Sequence, residues 1–285
     1  MARITTNDIQ TMKQQGEKIV MLTAYDYPSA RIADAAGVDM ILVGDSLGMV
    51  VLGYEDTLQV TLDEMLHHSK AVARGAEHAM IVTDLPFMTY QTSVEDAMRN
   101  AGRLLKEGGA QAVKFEGGVH MAETVRRLVQ VGIPVVGHIG LTPQSIHQMG
   151  GYKVQGRTPE AAQRLLEDAV ALQQAGAFSI VIETVPAPLA ELISQRLTIP
   201  VIGIGAGVAC DGQVLVWHDL LSYNTSYLTQ EHAPRHVKKY AHVGEEMQRA
   251  IEQYAAEVRD GSFPTKEQSF QMNKEALAGL SATRS

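Results

Sequence analysis

Short apolar runs, rich in β-branched residues and closed by polar residues or glycine, recur along the chain. They occupy residues 19–26, 40–43, 78–86, 112–118, 133–140, 178–183, 199–207 and 213–219. Continuous apolarity over so few positions predicts strands buried on both faces, as in a parallel sheet covered by helices. The stretches between them carry helix signals. Thr6-Asn7-Asp8 opens a short helix that Gly16 ends, and residues 30–36 lead to Gly37. Thr61-Leu62-Asp63-Glu64 reads as a capping box before a helix reaching Arg74. Ser93-Val94-Glu95-Asp96 opens another, closed by Gly108-Gly109, and further helices are expected over 121–131, 159–174 and 188–195. The remainder is expected to be helical over 234–259 and 265–280, split by Gly261 and Pro264.

Strand and helix thus alternate about eight times, the order of a (β/α)8 TIM barrel in the α/β class. The expectation is one domain over residues 1–285 with a helical tail over 234–285; a doubly wound open sheet is the alternative. Two places strain the pattern. The link between the last two strands falls short of the dozen or so residues that a crossover helix takes, which leaves room for a short helix only. Residues 141–158, with Gly150, Gly151 and Gly156, read as a long loop, the kind that serves as a lid or binding element.

The 285 residues are 45% hydrophobic, ample for one large core, and the thirteen methionines are expected to help fill it. Lys and Arg number 24 against 32 acids, and this net charge of −8 without a basic cluster argues against nucleic acid as a partner. The single cysteine, Cys210, excludes an intramolecular disulfide and fits a reducing compartment. It has no activating neighbour in sequence, so a nucleophile is not expected there. The start of the chain has no apolar signal region, and no run approaches the roughly 18 residues of a membrane span. A cytoplasmic protein without membrane contact is expected.

In a barrel every strand end opens on one mouth. Asp45, Ser46, Asp84, Lys114, Glu116, His138 and Glu183 all stand at such ends and would share a pocket despite their separation in sequence. Lys114 and Glu116 are two apart and face the same side of their strand. Asp45, Asp84 and Glu116 would repel one another unless a cation sat among them, and hard oxygen ligands without cysteine favour Mg²⁺. Each acid has a plainer reading as a turn cap. Lys114 is read as an anion-binding group, with a solvated lysine as the alternative. His138 is either a core histidine satisfied by a backbone carbonyl or a member of the site. Glu183 ends a fully apolar run, a setting that should raise its pKa toward that of a general base. Gly203-Ile204-Gly205-Ala206-Gly207 does not match the dinucleotide fingerprint and offers at most a backbone cradle for an anion.

Several long stretches, in order, resemble ketopantoate hydroxymethyltransferases. They are Thr23-Ala24-Tyr25-Asp26, Val43-Gly44-Asp45-Ser46-Leu47-Gly48 and Thr83-Asp84-Leu85-Pro86-Phe87. Val113-Lys114-Phe115-Glu116-Gly117-Gly118 and Gly137-His138-Ile139-Gly140-Leu141-Thr142-Pro143-Gln144 follow, and then the glycine loop from Met149 to Arg157. Gly203-Ile204-Gly205-Ala206-Gly207 and Asp211-Gly212-Gln213-Val214-Leu215-Val216 complete the match. The resemblance implies a Mg²⁺-dependent barrel enzyme of pantothenate biosynthesis with 5,10-methylenetetrahydrofolate as co-substrate, assembled as a homodecamer. It places Asp45, Asp84 and Glu116 at the metal, Asp45, Ser46, Asp84 and Lys114 on the 2-oxo acid, and Glu183 as proton acceptor. His138 stays a further candidate. The chain departs from the family at Ser222, where Gly is usual, through Tyr223-Asn224-Thr225-Ser226, and at His236, where Phe is expected. These departures concern the folate end or subunit packing. The rival readings are a Mg²⁺-dependent lyase or mutase of another 2-oxo acid and a non-catalytic metabolite-binding barrel.

Overall fold

A computed structural model of the chain describes residues 2–224 and 234–281. Eight parallel strands close into a barrel in sequence order, β1 pairing with β8. They are β1 Ile19–Thr23, β2 Met40–Val43, β3 Met80–Asp84, β4 Ala112–Glu116, β5 Val135–Gly140, β6 Ser179–Glu183, β7 Val201–Ile204 and β8 Gly212–Leu215. The (β/α)8 expectation holds, and the open sheet is excluded.

Helices occupy most of the links. α1 (Thr6–Gln15) precedes β1, α2 (Tyr27–Ala35) follows it, and α3 (Leu47–Val50) and α4 (Leu62–Gly75) lie between β2 and β3. α5 (Val94–Lys106), α6 (Ala122–Gln130), α7 (Ile146–Met149), α8 (Pro159–Ala175) and α9 (Ala187–Arg196) continue the alternation. The capping box at Thr61 and Glu64 forms as expected. α2 begins three residues ahead of its expected start. Asp26, expected at a strand end, instead accepts the Ser29 N–H at 2.8 Å as the helix cap.

Other boundaries moved for equally local reasons. The 141–158 loop contains the helical turn α7, which Gly150 closes at φ 67°. β8 stops at Leu215 rather than Asp219, because the Trp217 N–H donates to Thr23 Oγ1 at 2.8 Å. The chain then turns into α10 (Trp217–Leu220). No helix joins β7 to β8. The Asp211 N–H donates to Val201 O at 2.9 Å and its carboxylate accepts the Val201 N–H at 2.8 Å, drawing the return tight. In the tail, helix is found in α11 (Val243–Asp260) and α12 (Lys274–Ser281), not over 234–242 or through 269–273. The expected end of the tail beyond residue 281, and Thr225 and Ser226, lie outside the described residues.

The described chain divides into two compact units, one extending to Leu220 with Asn224–Lys239, the other comprising Leu221–Tyr223 and the chain from Tyr240 onward. In the second unit, Ser222 adopts φ 59°, where glycine carries no side-chain penalty. We expect Ser222→Gly to raise stability by about 0.5–1 kcal/mol, relief of left-handed strain exceeding the added chain entropy. A lower urea midpoint for the variant would contradict this.

Inside the barrel, side chains alternate inward and outward along each strand. Met21, Met40, Leu42, Met80, Val82 and Ala112 face the lumen and, with Val136, Val181, Ile202 and Val214, form a continuous core. Three methionines therefore pack the barrel, although Met88, Met247 and Met272 are exposed and fill nothing. α1 plugs the base with Ile9, fully buried in the same core. Lys13 on α1 locks that plug. Its ammonium donates to Ser194 O and Ile199 O, each at 2.9 Å, and pairs with Asp211 at 2.8 Å. Both side chains keep some solvent contact, so Lys13→Met is expected to cost about 2 kcal/mol, below the 3–5 of a fully buried pair. Chemical denaturation measures it; an unchanged midpoint would leave the lock without energetic weight.

Candidate active site

The inward parity that packs the lower barrel also sets the upper end. Two positions beyond Val82 stands Asp84, and two and four beyond Ala112 stand Lys114 and Glu116. His138 and Glu183 follow Val136 and Val181 in the same way. Register joins them across neighbouring strands: Asp84 opposes Lys114, and Glu116 opposes His138. All seven residues expected at the mouth line one cavity of about 560 Å³.

Asp45 reaches the cavity from the turn after β2. A Cβ on Gly44 would come within 2.9 Å of Ser46 Oγ, so a side chain there would displace that hydroxyl. The Asp45 N–H donates to Asp84 Oδ2 at 3.1 Å. Lys114 Nζ lies 2.9 Å from Asp84 Oδ1, both side chains nearly enclosed. This disposes of the solvated-lysine reading. Ser46 Oγ and Tyr25 OH share a hydrogen bond at 2.9 Å.

His138 lies between two acids rather than on a backbone carbonyl, with no well-aligned hydrogen bond at Nε2. Nδ1 stands 3.6 Å from Glu116 Oε1 and 3.5 Å from Lys114 Nζ, while Nε2 stands 3.2 Å from Glu183 Oε2. Burial, then the Lys114 charge, lowers its pKa, so the imidazole is held neutral. Glu183 keeps a solvent-facing edge at 16% side-chain exposure and is not sealed in apolar surroundings. Its backbone is unusually constrained. Gly140 sits opposite in register, and a Cβ there would lie 2.3 Å from Glu183 O. The next residue, Thr184, has φ 51°, an outlier for a β-branched side chain that costs about 1–3 kcal/mol. Thr184 is tied in place by its N–H to Ile204 O at 2.8 Å and by the Gln155 N–H to its own carbonyl at 3.0 Å.

The electrostatics report crowded negative charge. Burial, reinforced by the charge of Asp84, pushes Asp45 up to about 7. Burial and then Asp45 push Glu116 well above the usual carboxylate range. For Lys114 burial works against the charge, but Asp84, Asp45 and Glu116 outweigh it and raise the pKa. One ammonium does not satisfy these acids. Asp84 Oδ1 is buried without a well-aligned donor, its contact with Lys114 being an ion pair only.

Among the described residues no three His, Cys, Asp or Glu side chains form a ready-made metal cluster. A hard cation that keeps most of its waters needs only one or two carboxylates, and the linked pair Asp45–Asp84, with its orphaned oxygen, fits that demand. Glu116 stands beside them with Oε2 accepting the Gln144 N–H at 3.0 Å.

Sequence reasoning gave no role to three side chains in this site. Tyr25 holds Ser46, and Tyr90 and Gln144 interlock with the acids. Their signal was faint: a buried tyrosine and an amide following Thr-Pro look like ordinary core and turn residues. Cys210 is buried and its thiol pushed up to about 11, chiefly by desolvation, in keeping with the expectation that it is no nucleophile. His236 lines the same cavity close to Gly205. No described helix is long and apolar enough to cross a membrane.

A family model described as ketopantoate hydroxymethyltransferase matches residues 3–266. A 3-methyl-2-oxobutanoate hydroxymethyltransferase of Syntrophus aciditrophicus (strain SB) is 59% identical over 268 residues, covering 94% of this chain and 97% of its own. One of the same name from Chloroflexus aurantiacus (strain ATCC 29366 / DSM 635 / J-10-fl) is 59% identical over 276 residues, covering 97% and 96%. Among solved structures, a phosphonopyruvate hydrolase complex with oxalate and Mg++ superposes at TM-score 0.58 with 14% identity, over 98% of this chain and 96% of that one. A 2,3-dimethylmalate lyase does so at 0.57 with 18% identity, over 97% and 98%. Likeness at those identities speaks to the fold alone.

Proposed function

This chain belongs to the ketopantoate hydroxymethyltransferase family, and from that premise we propose that it transfers a hydroxymethyl group from 5,10-methylenetetrahydrofolate to 3-methyl-2-oxobutanoate, giving 2-dehydropantoate. The observation that carries the reading is the placement of Glu183. It is a solvent-edged acid on neutral His138, in the same cavity as the Asp45–Asp84 pair and Lys114. Simple binding has no use for a base in that position.

Asp45 and Asp84, with Glu116 beside them, would hold a divalent cation, Mg²⁺ by the hardness of the donors. When bound, that ion supplies Lewis-acid polarisation of the keto group, which acidifies the neighbouring C3–H. Lys114 and Ser46 take the 2-oxo acid, the ammonium offsetting its negative charge. Glu183 removes the C3 proton, freeing that carbon to attack the folate methylene. As the C–C bond forms, the two methylene C–N bonds break, one water supplies the hydroxyl, and tetrahydrofolate leaves with a proton on each freed nitrogen. His138, neutral and in contact with Glu183, orients the carboxylate, and the strained turn at Thr184 fixes where it starts. The same reading carries a homodecamer in the cytoplasm, which light scattering tests by a mass ten times that of the protomer.

Product should form from the oxo acid, methylenetetrahydrofolate and Mg²⁺, and should cease on addition of a chelator. Turnover of the oxo acid without any folate would replace this reading with a lyase or mutase; binding without turnover would replace it with a non-catalytic barrel. Asp84→Ala is expected to weaken Mg²⁺ binding in calorimetry by more than the roughly 10–100-fold typical of residues that only support a ligand. An unaltered isotherm would remove Asp84 from the metal.

A further inference from the structure

Gln144 is 5% exposed and makes contacts that no ordinary turn residue needs. Its Nε2 donates to Asp45 Oδ2 at 2.7 Å and to Leu85 O at 3.0 Å, while its backbone N–H donates to Glu116 Oε2 at 3.0 Å. On the opposite side, Oε1 accepts from Tyr90 OH at 2.7 Å and from Gln91 Nε2 at 3.2 Å. The orientation of the amide follows from its neighbours. The Leu85 carbonyl only accepts, so the nitrogen must face it, and with it Asp45 on the same side. Tyr90 OH already accepts the Glu116 N–H at 3.2 Å, which directs its own proton to Oε1. One directed chain therefore runs from the Glu116 backbone through Tyr90 and Gln144 to Asp45, and it uses both amide protons.

We propose that Gln144 is a positioning residue that grips Asp45 with its side chain and Glu116 with its main chain, setting two carboxylates for a divalent cation, with Tyr90 fixing the direction of the amide. The proposal rests on the reading of the preceding subsection that these acids serve a metal. Gln144 touches neither reacting carbon nor base. It acts through the acids. Its place at the start of the loop after β5 explains how a link on one side of the barrel governs a carboxylate delivered from β2.

The test is calorimetric titration of the full-length protein, freed of metal, with Mg²⁺. Gln144→Met keeps the volume and removes the donors; Gln144→Glu keeps the shape and sets an acceptor against Asp45. Both are expected to bind Mg²⁺ about 10–100-fold more weakly, with kcat falling alongside at saturating oxo acid. Tyr90→Phe should weaken binding less, and the Tyr90→Phe, Gln144→Met double variant should bind no more weakly than Gln144→Met alone. A role confined to packing would shift the melting temperature of Gln144→Met and leave the isotherm in place, which overturns the proposal. Losses that multiply in the double variant overturn it as well. Should Gln144→Met fail to fold, Tyr90→Phe decides: weakened binding supports the chain, native binding breaks it. A native protein that binds no Mg²⁺ overturns both this proposal and the reading beneath it, whereas native binding with an unchanged Gln144→Met isotherm overturns this one alone.

Discussion

Glu183→Gln is expected to bind 3-methyl-2-oxobutanoate with near-native affinity and to exchange its C3 proton with deuterated water about 10²–10⁴-fold more slowly. The amide preserves the shape of the carboxylate and the constrained backbone between Gly140 and Thr184, so the cavity stays in place. What it loses is the ability to accept a proton. Exchange can be followed by NMR without folate, which isolates proton removal from the later bond-forming step. Retained rapid exchange would falsify the assignment of the base and move attention to His138, whose neutral imidazole is the other acceptor nearby.

The second large effect is on stability. Lys114→Met is expected to destabilise the metal-free protein by about 3–5 kcal/mol, the cost of leaving a buried charge without its partner. Asp84 loses the ammonium at 2.9 Å, and Asp45 and Glu116 lose the same counter-charge. The loss should grow with pH. Asp45 is held up to about 7 when folded, above its ordinary value, so it contributes stability at low pH that disappears as pH rises through 7. Without Lys114 its folded pKa rises further, and ionising it at pH 8 costs more than in the native protein. Urea denaturation at pH 5 and pH 8 with chelator present gives the comparison. A difference that shrinks toward pH 8 would contradict Lys114 as the counter-ion.

The sequence made the barrel legible because its strands are short, mainly apolar runs, and every such run corresponds to an observed strand. It erred where a polar side chain or a backbone group decides. Asp26 looks like a strand end until its carboxylate is seen accepting the Ser29 N–H. Val216-Trp217 continues an apolar run but leaves the sheet, because Thr23 captures the Trp217 N–H. Asp84, Lys114, Glu116, His138 and Glu183 were readable from strand position and parity, and Asp45 and Ser46 from the strand end they follow. Gln144 and Tyr90 were not, since their importance lies in who faces whom across the barrel. Glu183 was expected within apolar walls; strand parity places it inward, but its final position on the strand leaves one edge at the opening.

The missing helix between β7 and β8 leaves the barrel with a seam. Val20 on β1 and Gln213 on β8 are neighbours in register, and both face solvent. On the other strands the residues are buried apart from Glu183, and at β5 all of them are. Ladder amides at this bare edge have little apolar weight upon them, so the closed sheet should breathe there first. Hydrogen–deuterium exchange would register it as earlier labelling of residues 19–22 and 212–215 than of 135–140, with the base plug of Lys13 and Asp211 setting how far the opening spreads.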